Sequence, residues 1–183
     1  MGDAVRAALF FALWLVASVP LADAASPWMA FEAPVARVAD GDTLSFTGRR
    51  EVCRLTGIDA PETAKKGRHD GQPGGDAARE FLMRMVGTHP VTVLAYGADH
   101  YGRLLCWVLT TGALAVNLEL VRFGHAEVYV YDAAIPPPFL PALRQAEVEA
   151  KAARRGVWAQ ERYESPAAFR QRMRRGAGQD SQP

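Results

Sequence analysis

The chain has only two cysteines, Cys53 and Cys106, in 183 residues. Two thiols cannot build a disulfide scaffold, and these two are not spaced as zinc ligands are. The four histidines (His69, His89, His100 and His125) are dispersed, which also argues against a zinc site. One-sided charge is missing as well. Twenty-one Lys and Arg against 20 Asp and Glu leave a formal charge of +1, so overall charge does not indicate a polyanionic partner. Internal repeats are absent, and there is only one long apolar run.

That run, Ala7 to Val19, is too short for a comfortable membrane span, and Pro20 breaks it. Ala22-Asp23-Ala24 follows with a small-residue cleavage pattern. Residues 1–24 are therefore expected to be a secretory signal peptide cleaved near Ala24, with export to the periplasm or the medium. The alternative is a membrane anchor left uncleaved, since Arg6 in the leading segment is opposed by Asp3. Loss of Asp3, Asp23 and Arg6 would take the charge from +1 to +2. Export would permit one bridge between Cys53 and Cys106. Each lies on an expected strand at the parity opposite to a nearby arginine, Arg54 or Arg103, so both are expected to face inward. A bridge and two buried thiols both remain open.

Residues 25–34 form a lead-in, 35–158 one domain, and 159–183 a basic extension, partly helical and then disordered. Val35 to Ala39, Thr43 to Phe46 and Glu51 to Thr56 are expected strands, separated by Asp-Gly and Thr-Gly-Arg-Arg turns. Ala64 to Gly75 has no apolar period and is expected to be a mobile basic loop. Asp76 is placed to N-cap a helix ending at Val86, with Gly87 just beyond it. Val91 to Tyr96 and Arg103 to Leu109 are two more strands. A second helix covers Ala115 to Phe123, with Leu118 and Val121 inward and Asn117, Glu119 and Arg122 toward water. Glu127 to Tyr131 is expected to be extended, and Pro136 to Pro138 a stiff linker. A third helix covers Leu140 to Arg155, and Ser165-Pro166 opens a short arginine-rich fourth. Three strands, a helix, two strands and further helices make an α+β chain. Its pattern is that of a five-stranded Greek-key barrel, the OB-fold, with about three packed helices.

Asp40 to Thr63 carries the chemistry. Asp40, Asp42, Asp59 and Glu62 each fall beside a Gly or Pro at the end of a short apolar run, where a sheet can converge charges on one point. Carboxylates gathered in this way need a cation, an arginine, or both. Asp42 and Asp59 are the strongest metal-ligand candidates, and hard oxygen donors favour Ca²⁺ or Mg²⁺. Glu62 has no turn-forming reason to follow Pro61, and it suits a general base toward an attacking water. Arg54 and Arg103, expected on adjacent strands, are planar donors of the kind a phosphoryl transition state requires. Taken singly, each residue has a plainer reading as a turn former, a solvated charge or half of an ion pair. The combination is what argues for a site.

Asp40-Gly-Asp-Thr, Arg54, Ile58-Asp-Ala-Pro-Glu-Thr63 and Asp99-His-Tyr-Gly-Arg103 together resemble the thermonuclease, or staphylococcal-nuclease-like, family. The likeness continues through Asn117, Leu120 to Ala126, Tyr129-Val-Tyr131 and Gly156-Val-Trp158, and spans residues 35 to 158. It implies an OB barrel with three helices and a Ca²⁺-dependent endonuclease acting on DNA and RNA, leaving 3′-phosphorylated products. It further implies Asp42, Asp59 and the backbone carbonyl of Ala60 as metal ligands, with Asp40 acting through water. Glu62 would orient or deprotonate the attacking water, while Arg54 and Arg103 would hold the phosphate. Tyr101, Tyr129, Tyr131 and His100 would contact substrate, His100 standing where lysine is frequent. The Ala64 to Gly75 loop departs from the family, and the tail after Gln160 has no match in it. No stable protein partner is implied, and a monomer is expected. The alternative function is a non-catalytic nucleic-acid-binding module.

Overall fold

The structure, a computed structural model, describes residues 26–65, 70–130 and 139–179, with side chains up to residue 176. The expected signal peptide, Tyr131, Pro136 to Pro138 and the end of the tail lie outside the described residues. So does the middle of the basic loop.

Five strands close a barrel in the order β1-β2-β3-β6-β5. They are β1 (Met29–Asp40), β2 (Thr43–Phe46), β3 (Val52–Leu55), β5 (Pro90–Ala98) and β6 (Leu104–Leu109). All neighbours are antiparallel except β3 and β6. This is the mixed barrel of an OB-like fold. Between β3 and β5 come β4 (Ile58–Asp59) and the helix α1 (Gly75–Val86). After β6 follow α2 (Val116–Arg122), β7 (Glu127–Val128), α3 (Leu140–Ala152), a 3-10 turn at Gly156–Ala159 and α4 (Pro166–Gln179). β4 and β7 form a separate antiparallel pair.

Closure depends on β1, which begins at Met29, within what the sequence suggested was a lead-in. Its first half pairs with β5, from Met29 opposite Ala95 to Pro34 opposite Pro90. Its second half pairs with β2, from Val35 opposite Phe46 to Asp40 opposite Thr43, with two register shifts on the way. Such irregularities bend a strand, and here one strand serves both edges of the barrel. Leu44, Leu55, Val93 and Val108 fill the interior, and Ala78 and Leu82 of α1 join the same core. Cys53 and Cys106 are both inward, as their parity predicts, and both are free thiols. Burial first, and then contact with Cys106, push the Cys53 thiol well up from its ordinary value.

Two expectations for the helices are corrected. Asp76 is not a cap. Gly74 occupies that position in a left-handed conformation (φ 95°) with no side-chain cap bond, and Asp76 lies in the first turn. There its charge still suits the positive end of the helix. Asn117 does not face water. It is fully buried, donating to the Thr56 and Cys106 carbonyls at 2.9 and 3.0 Å and accepting the Val108 N–H at 3.1 Å. Asn117 lies four residues before Val121 and so shares its face of α2; only the polarity of the amide suggests solvent, and that face is the buried one. The residues after β3 and those of β6 supply polar partners on that side, which no period reveals.

α1 and the β1–β2 turn meet at close range, and this is where glycine is required. A Cβ on Gly41 would lie 2.6 Å from the Ala60 Cβ and 2.7 Å from the Ala78 Cβ. Only a residue without that atom lets the Asp40-Gly41-Asp42 turn pack against the segment after β4. Gly75 likewise brings the start of α1 onto the backbone of Glu62, where a Cβ would approach the carbonyl oxygen to 2.3 Å. The backbone that carries the carboxylates is thus held between the barrel and α1.

Candidate active site

Asp40, Asp42, Arg54, Glu62, His100, Tyr101, Arg103 and Tyr129 all line one open cleft of about 430 Å³. They arrive from the end of β1, from β3, from the loop after β4, from the β5–β6 turn and from the residues after β7. Asp59 joins them from beneath, fully buried. Ala60 is fixed by its N–H, which donates to Asp42 Oδ2 at 3.0 Å. Of the residues expected here, Tyr131 alone lies outside the described residues.

Arg54 bridges the two principal carboxylates. Its Nη2 donates to Asp59 Oδ1 at 2.7 Å and to the Ile58 carbonyl at 3.3 Å, and its Nη1 pairs with Asp42 Oδ2. Asp42 Oδ1 also accepts the Thr43 hydroxyl at 3.0 Å, which sets the side chain's rotation. Burial raises the Asp40 carboxyl above its ordinary value, and the Thr43 bond and the Arg54 charge only partly offset this. Glu62 behaves in the opposite way. Burial would raise it, but bonds from Arg170 and Lys65 outweigh that and hold it below its ordinary value.

Arg103 is held differently. Its Nε and Nη2 both reach Asp99 Oδ2 at 2.7 Å, while Asp99 Oδ1 accepts the N–H groups of Tyr101 and Arg103 at 2.9 Å each. One carboxylate therefore shapes the turn and aims the guanidinium. Burial would raise Asp99, but these bonds outweigh it and lower its pKa. A lowered carboxylate stabilises the fold above its unfolded value, about 4, and that contribution is lost as pH falls through the folded value. Asp99→Asn should therefore lower the melting temperature at pH 7. The gap from the wild type should shrink below about pH 4, and thermal melts across pH 2.5–7 would measure it. A gap independent of pH would rule out the linkage. The Tyr101 ring is mostly exposed, lies 3.7 Å from the His100 ring centroid, and has the Arg103 guanidinium 5.5 Å from its own centroid. It presents a flat face at the mouth of the cleft.

Sequence reasoning missed Arg170. From α4, its Nη2 donates to Asp59 Oδ2 at 2.7 Å, and its Nη1 to Asp59 Oδ1 at 3.1 Å and to Glu62 Oε1 at 2.9 Å. Lys65 takes the other Glu62 oxygen at 3.0 Å. The only signal available was the cluster of arginines at 170, 172, 174 and 175, which could not indicate that one of them turns back across the chain. Gln72 was also overlooked. It is buried in the supposedly mobile loop, accepts the Glu62 N–H at 3.3 Å and returns its own backbone N–H to the Glu62 carbonyl at 2.8 Å. The described end of that loop is thus fastened to the site.

The donors gathered around Asp59 and Asp42 are hard oxygens, which fit a hard divalent cation and not a thiophilic one. Among the described residues, no set of three or more His, Cys, Asp or Glu side chains forms a metal cage. Arg54 pairs with Asp42 and Asp59, and Arg170 with Asp59 and Glu62, so these carboxylates are neutralised by guanidinium groups.

Comparison with known proteins follows the same ground. Residues 52–160 match the model of the staphylococcal nuclease homologue family. Endonuclease Htp3 of Saprolegnia parasitica is 33% identical over 158 residues, covering 75% of this chain and 74% of that protein. An uncharacterized endonuclease of Escherichia coli is 36% identical over 126 residues, covering 68% and 74%. A probable staphylococcal-like nuclease of Oryza sativa is 34% identical over 124 residues, covering 67% of this chain but 33% of that longer protein. The family match runs from β3 to the 3-10 turn and takes in the turn that aims Arg103 and helices α1 to α3, and on that extent the chain belongs to the staphylococcal nuclease homologue family.

Proposed function

We propose that the protein is an exported, Ca²⁺-dependent endonuclease that hydrolyses DNA and RNA and leaves 3′-phosphorylated products. The observation that carries this reading is the convergence of Asp40, Asp42, Glu62 and both arginines on one cleft whose wall also bears Tyr101 and Tyr129. A Ca²⁺ ion held by Asp42, Asp59 and the Ala60 carbonyl, with Asp40 acting through water, would supply charge stabilisation at the scissile phosphate. Glu62 orients or deprotonates the water that attacks phosphorus in line. Arg103, aimed by Asp99, donates to the equatorial oxygens on which charge grows, and Arg54 supports the phosphate from the side of the two aspartates. His100, Tyr101 and Tyr129 suit contact with substrate, the tyrosines by offering flat faces to bases, and Tyr131 is proposed to join them. Gripping phosphate and stacking bases leaves the sugar unread, in keeping with action on both nucleic acids.

The test is digestion of denatured DNA and of RNA by the purified mature chain in Ca²⁺ and in excess chelator. Cleavage should require Ca²⁺, and its fragments should carry 5′-hydroxyls that a polynucleotide kinase labels without prior dephosphorylation. Equal cleavage in chelator would refute the metal's role. Binding without cleavage would identify a nucleic-acid-binding module instead. N-terminal sequencing of the exported protein should begin at Ala25 or Ser26; an intact N-terminus would point to the anchored form. Among the described residues no helix is long and apolar enough to cross a membrane.

A further inference from the structure

α4 is held to the domain by its beginning. Ser165 Oγ accepts the Ala168 N–H at 3.2 Å, Pro166 occupies the first turn, and Pro166 and Phe169 are buried. The segment before it is fastened too. The Tyr163 hydroxyl donates to Glu127 Oε2 at 2.7 Å, its ring packs at a tilt with its centroid 4.5 Å from that of Trp158, and Gln72 Nε2 donates to the Glu164 carbonyl. Beyond Phe169 the helix becomes mostly exposed, at residues 171, 172 and 174 to 176. Ala167, Arg170 and Arg174 line the same cleft as the carboxylates.

The contacts of Arg170 go further than a surface ion pair. Both oxygens of the fully buried Asp59 accept from its guanidinium, and Oδ1 is shared with Arg54. The same guanidinium takes one oxygen of Glu62, and Lys65 takes the other. The carboxylate proposed as ligand and the carboxylate proposed to act on water are therefore occupied by one residue of the C-terminal helix. A divalent cation at Asp59 and the Arg170 fork are like charges seeking the same oxygens, and within so buried a site they repel strongly.

We infer that α4 is an autoinhibitory strap: Arg170 competes with the divalent cation for Asp59 and Glu62, and cation binding displaces it. This rests on the cation site proposed above. Displacement would release Glu62 for its role and leave Arg170 beside Arg174 on the wall of the cleft. The full chain would then bind its cation more weakly than the same site without Arg170, and would remain latent at low Ca²⁺.

The test is Ca²⁺ binding by calorimetry to the mature chain, to Arg170→Gln and to Arg172→Gln. Arg172 pairs with Glu164 on the exposed side of α4 and serves as the control. Arg170→Gln should bind Ca²⁺ at least about tenfold more tightly, while Arg172→Gln should match the wild type within about twofold. In the wild-type protein, saturating Ca²⁺ should also speed amide hydrogen exchange over residues 166–176. Equal or weaker binding by Arg170→Gln, or exchange unchanged by Ca²⁺, would overturn the strap and leave the cation site standing. Absence of Ca²⁺ binding by all three proteins would overturn both.

Discussion

Arg103→Ala should lower kcat/KM on denatured DNA by about 10²–10³-fold, the usual consequence of removing a preorganised donor to developing transition-state charge. Its side chain is one-third exposed and its partner Asp99 stays bonded to two backbone N–H groups. The cost in stability should therefore be small, within about 1 kcal/mol after allowance for solvent screening. Glu62→Gln should cause a loss of activity of similar order, about 10²–10⁴-fold if it acts on the proton of the water. It keeps the shape of the side chain but removes the charge paired with Arg170 and Lys65, so a modest fall in melting temperature at pH 7 should accompany the loss of activity. Single-turnover digestion and thermal melts on the same preparations would separate lost chemistry from lost folding. Wild-type rates in either variant would refute the roles given to these residues.

Asn117→Ala should have the largest effect on stability, a loss of about 3 kcal/mol, because it takes a partner from the buried Thr56 carbonyl and the buried Val108 N–H and one of two partners from the Cys106 carbonyl. For a chain of this size that corresponds to a drop in melting temperature of roughly 10 °C. Activity per folded molecule should fall far less, since Asn117 does not line the cleft. A melt within about 2 °C of the wild type, well below the shift expected from such a loss, would show that the residue is not the tie described here. Asn117 joins α2 to β6 and to the turn that leads toward β4. It therefore secures the strand ends on which Arg54 and Asp59 are placed.

Much of this was readable from the residues alone. The alternation in Thr43 to Phe46 and in Val91 to Tyr96 encodes strands because side chains on a pleated backbone point to opposite faces. Ala78, Leu82 and Val86 mark one helical stripe, and they are the buried face of α1. The carboxylates stood out because each lies where an apolar run ends, and Arg54 and Arg103 because each falls near them on a strand. Strand ends are where a barrel of this kind gathers side chains.

Other features depended on pairing between distant segments. The sequence suggests a first strand from Val35, with Met29 to Pro34 inside the lead-in. Pairing with β5 is what makes that segment a strand. Asn117 reads as a surface residue by its polarity alone, although its spacing from Val121 places it on the inward face of α2; the groups that satisfy its amide lie on other segments. Glycine at position 41 could be taken as an ordinary turn former, although the close approach of Ala60 and Ala78 is what excludes any other residue.

Local periodicity and the order of the motifs determined by themselves the barrel class, the helix between β3 and β5, and the carboxylates of the cleft with Arg54 and Arg103, but not Arg170. They did so because backbone geometry and charge at strand ends are properties of neighbours in sequence. Only the tertiary structure decided what each charge touches. It gave Arg54 to Asp42 and Asp59, gave Arg103 to Asp99, and brought Arg170 from the far end of the chain onto Asp59 and Glu62. Coulomb attraction in a buried cleft selects partners by distance in space, and sequence spacing carries no record of that distance.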